Sequence, residues 1–118
     1  MTSQKSSGIN TSDILQTEPV TQRVFGSAGS DTSGPLMIVV AGIHGNEKAG
    51  VIASRRMLAR IDREGISVHG RVVMIAGNLV ALERHERFID RDLNRMWRRD
   101  DVAVLLEKDP ATDGIEER

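Results

Sequence analysis

Leu36-Met37-Ile38-Val39-Val40-Ala41-Gly42-Ile43-His44-Gly45-Asn46-Glu47 is the stretch on which the fold turns. Its first six residues are an unbroken apolar run, rich in β-branched side chains and bounded by Pro35 and Gly42. Such a run reads as a strand buried on both faces. The six residues that follow form a short polar connection. Beyond it the spacing turns helical, with Ala49, Ile52, Ala53, Met57 and Ile61 three and four apart as far as about Glu64. Asn46 is placed to cap that helix and Gly65 to stop it. A second buried-strand run covers 72–76 and ends at Gly77. Strand, helix and strand with short links make a βαβ unit, hence an α/β fold with a mainly parallel sheet and a right-handed crossover. Open sheets of this kind carry their chemistry on loops at the carboxyl ends of the strands. Here those loops are 44–47 and the segment that begins at Asn78.

Outward from this unit the pattern is weaker. Residues 20–27 suit a short edge strand, followed by a turn at 31–35. Residues 1–22 are rich in Ser, Thr and Gln and read as a flexible arm, without the basic and apolar regions of a signal peptide. Downstream, 84–99 holds six arginines against three acids, and 100–118 holds seven acids against Lys108 and Arg118. Asp113 with Glu116 three residues later resembles the opening of a helix. One βαβ unit followed by an unfinished helix cannot cover both faces of its sheet. The expectation is therefore an amino-terminal piece of a longer protein, with a small domain and a frayed acidic tail as the alternative.

Composition narrows the function classes. A chain of 118 residues with a formal charge of −1 suits one small domain or part of a larger one. It has no cysteine, which excludes disulfides and thiolate metal sites. The longest apolar run is far short of the ~20 residues that span a bilayer, so no membrane span is expected, and the lack of signal-peptide regions makes a cytoplasmic setting the default expectation. Near-neutral charge argues against a purely electrostatic binder of nucleic acid.

Chemistry concentrates in two places. His44 and Glu47 sit three apart at the mouth of the first strand; imidazole and carboxylate both serve as zinc ligands, and Gly45 permits the bend that makes them converge. The ordinary reading of Glu47 is a carboxylate favoured by a helix amino-terminus. The second place is Arg87-Phe88-Ile89-Asp90-Arg91-Asp92-Leu93-Asn94-Arg95. Asn94 and Arg95 pair an amide with a guanidinium fork suited to a carboxylate. Arg87 can stabilise charge developing on an attacked carbonyl, and Asp92 can hold a guanidinium by an ion pair. Arginines at 84, 87, 91, 95 and 98 also fit one face of a solvated helix. A basic stripe of that kind over 84–99 offers a rival function, a non-catalytic module for RNA or another polyanion, although aromatics are only 3% of the chain.

Together, in this order and at this separation, the H-G-N-E and R-F-x-x-x-D-L-N-R segments resemble the succinylglutamate desuccinylase/aspartoacylase family, relatives of the zinc carboxypeptidases. The resemblance runs from about Leu36 to Trp97 and includes Gly77-Asn78 after the second strand. It implies a partial zinc-carboxypeptidase-like fold. It also implies that His44 and Glu47 are two ligands of one Zn2+, that Arg87 polarises the scissile carbonyl, and that Asn94 and Arg95 bind the substrate carboxylate, with Asp92 in support. The implied reaction is hydrolysis of the amide bond of an N-acyl amino acid. Residues 23–118 would then be the first part of a catalytic domain. The family's second histidine ligand and its glutamate base fall well downstream of D-L-N-R, so they are expected beyond Arg118 and the chain alone is expected to be inactive. His69 precedes the second strand at its far end and His85 lies among arginines; both are poor substitutes. Leu79 and Phe88 depart from the commoner Pro and Tyr.

Overall fold

The structure, a computed structural model, describes residues 18–118. Most of the expected 1–22 arm lies outside the described residues; at its end, Val20 is buried in the core with Ala41, Val51, Ala76 and Leu82. The framework is a three-stranded sheet of β1 (Val24–Ala28), β2 (Leu36–Ala41) and β3 (Arg71–Ala76) in the order β1-β3-β2. β2 and β3 run parallel, in register from Leu36 opposite Arg71 to Ala41 opposite Ala76. Helix α1 (Ala49–Arg63) connects them, so the expected βαβ unit is present. β1 adds an antiparallel edge, with a bulge between Val24 and Gly26.

That order explains one departure from expectation. β2 is not buried on both faces: Leu36, Met37, Ile38 and Val40 are each about half exposed or more, because β2 is an outer strand. The central position belongs to β3, where Met74 and Ala76 are fully buried.

Helix α1 also packs differently from its predicted stripe. Val51 and Ser54 are its buried residues, and Leu58 reaches the spot a side chain on Gly26 would need. Residues 51, 54 and 58 keep the three-and-four spacing, but the stripe contains a serine, whose Oγ donates to the Gly50 carbonyl at 2.8 Å. That internal bond lets a polar residue face the sheet, whereas Ala53 and Met57 are exposed. Asn46 is not the cap: it lies in the tight turn closed by Glu47 N–H to His44 O, and Lys48 occupies the cap position without a side-chain bond. The expected stop holds. Gly65 has φ +61°, its N–H donates to Asp62 O, and Ile66 N–H donates to Ile61 O, the paired closure of a left-handed helix end.

After β3, helix α2 (Leu79–Arg84) is capped by Asn78, whose Oδ1 accepts from Ala81 N–H at 3.1 Å. His85 then turns the chain out of the helix with φ 57°. Residues 85–92 have neither helix nor strand, Leu93–Arg95 is a single 3-10 turn, and helix α3 (Arg99–Glu107) begins only later. The arginines of 84–99 therefore share no helix face, and the helical stripe proposed for a polyanion module is absent. The helical opening expected at Asp113 and Glu116 is shifted by one residue. The last turn is Ile115–Glu117, capped at Gly114 by the side chain of Glu117.

Candidate functional site

The loops that leave β2 and β3 lie side by side at the carboxyl end of the sheet. The ladder continues past both strands, with Gly77 N–H donating to Ala41 O at 2.8 Å and Asn78 N–H to Gly42 O at 2.9 Å. Gly45 then brings the first loop against the end of α2. A Cβ on Gly45 would lie 2.0 Å from both C and O of Ala81, and its N–H donates to Arg87 O at 3.3 Å. The loop bends as expected, in the turn closed by Glu47 N–H to His44 O, but what demands glycine at 45 is close approach to backbone and not a positive φ.

This contact delivers His44 to the arginine loop. Its ring is buried, and Nε2–H donates to Oδ1 of Asp92 at 2.8 Å. Asp92 Oδ1 also accepts from Asn94 N–H at 2.9 Å. The hydrogen bond from His44 holds the Asp92 carboxyl below the usual aspartate range against the opposing effect of burial, with the Asn94 amide and Arg87 adding to the stabilisation. The other ring nitrogen, Nδ1, lies 3.4 Å from Oε2 of Glu47. Arg87 stands over the pair, 3.7 Å from Glu47 Oε1 and 3.6 Å from Asp92 Oδ2.

Four of the six residues singled out from the sequence thus converge: His44, Glu47, Arg87 and Asp92. Glu47 precedes α1 and its carboxylate faces His44 and Arg87, so more than a helix-end preference is at work. Asn94 and Arg95 lie within the 3-10 turn that follows Asp92, both exposed, with no side-chain bond to the cluster among the described residues. His69 and His85 are exposed and stand outside it. Among the described residues no group of three His, Cys, Asp or Glu is placed to hold a metal. A cavity of about 550 Å³, lined by Val20, Val51, Leu79 and Leu82, includes none of the six.

Two features of the pair at 44 and 47 fit a metal ion. Neighbouring donors on a tetrahedral zinc, at about 2.0–2.1 Å from it, sit about 3.3–3.4 Å apart, and Nδ1 and Oε2 are 3.4 Å apart. Histidines that ligate metals also commonly give their second N–H to a carboxylate, and His44 does so to Asp92.

With this geometry in view, the comparisons with known proteins are specific. The model of the succinylglutamate desuccinylase/aspartoacylase catalytic domain matches residues 33–114, which include all six site residues. The chain belongs to this family. Within the succinylglutamate desuccinylase/aspartoacylase family, it is 39% identical over 70 residues to a succinylglutamate desuccinylase of Pseudomonas putida, covering 59% of this chain and 21% of that protein. A succinylglutamate desuccinylase of Pseudomonas fluorescens is 38% identical over 61 residues, covering 52% and 18%. The crystal structure of a succinylglutamate desuccinylase from Vibrio cholerae is 28% identical with a TM-score of 0.48, over 65% of this chain and 26% of that one. The chain spans about a fifth of the length of the curated relatives it matches.

One element of the site escaped sequence reading. Glu116, read as part of a helix opening, is buried with its carboxylate against the arginine loop. No spacing rule marks it, because its partners are backbone amides 25 to 27 residues away.

Proposed function

We propose that residues 23–118 carry part of the active site of a zinc-dependent hydrolase that cleaves the amide bond of N-acyl amino acids. The observation that carries this reading is the double engagement of His44: Nε2 is committed to a buried carboxylate and Nδ1 faces Glu47 at the spacing of two donors on one ion. Family membership and the desuccinylase relatives support the same reading.

His44 Nδ1 and Glu47 Oε2 would hold the zinc. When bound, the metal supplies an activated water and a polarised carbonyl. Asp92 fixes which nitrogen of His44 carries the proton and so keeps Nδ1 free to donate its lone pair. Arg87, half exposed and already beside both carboxylates, turns N–H donors toward the same space and stabilises negative charge as it develops on the carbonyl oxygen. Asn94 and Arg95, exposed on the adjoining turn, bind a free carboxylate of the substrate with an amide and a guanidinium fork. A third ligand and a general base lie outside the 44, 47, 87, 92 cluster, so zinc held by this chain alone is weakly bound and turnover is close to background. The desuccinylase relatives favour a desuccinylase role over a deacetylase or carboxypeptidase-like one.

Zinc titration in competition with a chromophoric chelator tests the reading. Weak binding that disappears in His44→Ala and in Glu47→Ala is expected, together with N-succinylglutamate shifts in NMR spectra that Arg95→Ala removes. Zinc affinity unchanged in His44→Ala overturns the assignment.

A further inference from the structure

Residues 85–92 carry Arg87 and Asp92 yet form no helix or strand, and the backbone N–H groups of Ile89, Asp90 and Arg91 find no backbone acceptor among the described residues. All three point at one carboxylate. Ile89 N–H donates to Oε1 of Glu116 at 2.6 Å, Asp90 N–H reaches both oxygens at 3.2 and 3.1 Å, and Arg91 N–H donates to Oε2 at 3.2 Å. Asn78 Nδ2 adds a further bond to Oε1 at 3.0 Å while its own Oδ1 caps α2. Glu116 thereby ties the arginine loop to the end of β3. Two outer contacts repeat the join: Ile115 N–H donates to Asp90 Oδ2 at 3.2 Å, and Arg91 lies 3.5 Å from Glu117.

Glu116 lies outside the 33–114 stretch matched by the family model. We propose that Glu116 is a positioning residue for the cluster: seated on the amides of Ile89, Asp90 and Arg91, it sets the course of the loop between Arg87 and Asp92, and through Asp92 it fixes the ring of His44. A satisfied carboxylate on three successive amides is a stiff joint, since each bond to a charged acceptor is stronger than a neutral one. Without it, three N–H groups turn to water and Asp92 loses its fixed distance from His44. This role rests on the functional reading of His44 and Asp92 given above.

The test uses the whole 118-residue chain, labelled with 15N at histidine and free of metal. The readout is the His44 Hε2 proton held by Asp92, whose exchange with water is expected to be slow in the native chain. In Glu116→Ala the exchange is expected to quicken at least tenfold while circular dichroism shows the fold retained, and acetate, but not chloride at equal ionic strength, restores slow exchange. Glu117 also accepts from Gly114 N–H and pairs with Lys108, so Glu117→Ala cuts those contacts and the one to Arg91 but is expected to leave the proton as it was. A folded Glu116→Ala with native exchange overturns the proposal, as does recovery by chloride. If Glu116→Ala fails to fold, Glu116→Gln is judged by the same rule, and loss of fold in both overturns a positioning role in favour of a purely architectural one. The proton is read without zinc or substrate, so a failed zinc titration sinks the hydrolase reading and leaves this joint standing, and the reverse also holds.

Discussion

Nε2 of His44 and Oδ1 of Asp92, 48 residues apart, meet at 2.8 Å in a place where the ring is almost wholly out of water. The bond leaves one nitrogen of the ring for other use and joins the two motif segments. Replacing Asp92 with Ala should lower zinc affinity by about 10–100-fold, the usual cost of removing the carboxylate behind a histidine ligand. Competition titration of wild type and variant reads this directly; equal affinities would separate Asp92 from the metal site.

Gly45 and Gly65 make a contrasting pair. A methyl on Gly45 meets the Ala81 carbonyl at 2.0 Å and Glu86 O at 2.5 Å, both backbone atoms that cannot swing aside. Gly45→Ala is expected to cost about 3 kcal/mol or more through forced separation of the loops. Gly65→Ala meets nothing within 4 Å and is opposed only by its φ of +61°, a cost of about 1–2 kcal/mol. Urea unfolding of both variants compares a steric cost with a backbone one, and equal losses would contradict the close approach at Gly45.

The same sheet offers two methionines in opposite circumstances. Among the described residues Met74 is the largest fully buried side chain, whereas Met37 on outer strand β2 is 60% exposed. Truncating Met74 to Ala should cost about 2–5 kcal/mol, from lost burial and the cavity left behind. Met37→Ala should stay within about 0.5 kcal/mol, as for other surface changes. A similar loss at both would mean that β2 is covered in solution.

Acid should weaken the two loop joints. Burial pushes the Glu116 carboxyl up, but the amides of Ile89, Asp90 and Arg91 together with Asn78 outweigh it and hold it below the ordinary glutamate range. Asp92 is held down in the same sense by His44. A carboxyl depressed in the folded state binds fewer protons there than in the unfolded chain, so its stabilisation is complete above the unfolded values of about 3.9 for Asp and 4.3 for Glu. It is lost as pH falls through the lower folded values. The stability gap between wild type and Glu116→Gln should therefore be constant between about pH 5.5 and 7 and close below about pH 4. A gap that widens in acid would reverse the sign of the Glu116 contribution.

Much of the site was legible because it is local. His44 and Glu47 are three residues apart, Asp92 and Arg95 share one short turn, and both segments follow strands whose apolar runs stand out. The polar loops at strand ends followed from the rule for parallel sheets. What went astray depends on neighbours distant in the chain. The face that α1 buries is set by the sheet it packs against and admits Ser54, which an apolar count passes over. The arginines over 84–99 have helical spacing, but the left-handed turn at His85 ends the helix before the stripe can form.

Sequence alone determined the strand–helix–strand order, the glycine stop at Gly65 and the residue types able to hold a metal and a carboxylate, since each is written in the period or chemistry of adjacent residues. Only the tertiary structure decided which strand is central, why Gly45 cannot bear a side chain, that Asp92 serves His44 as well as Arg87, and that Glu116 seats the loop between them. Those outcomes are made by burial and by hydrogen bonds to backbone amides, and a backbone amide is the same at every residue but proline. A carboxylate that chooses such partners leaves no pattern along the chain; its role exists only once folding has brought the amides to it.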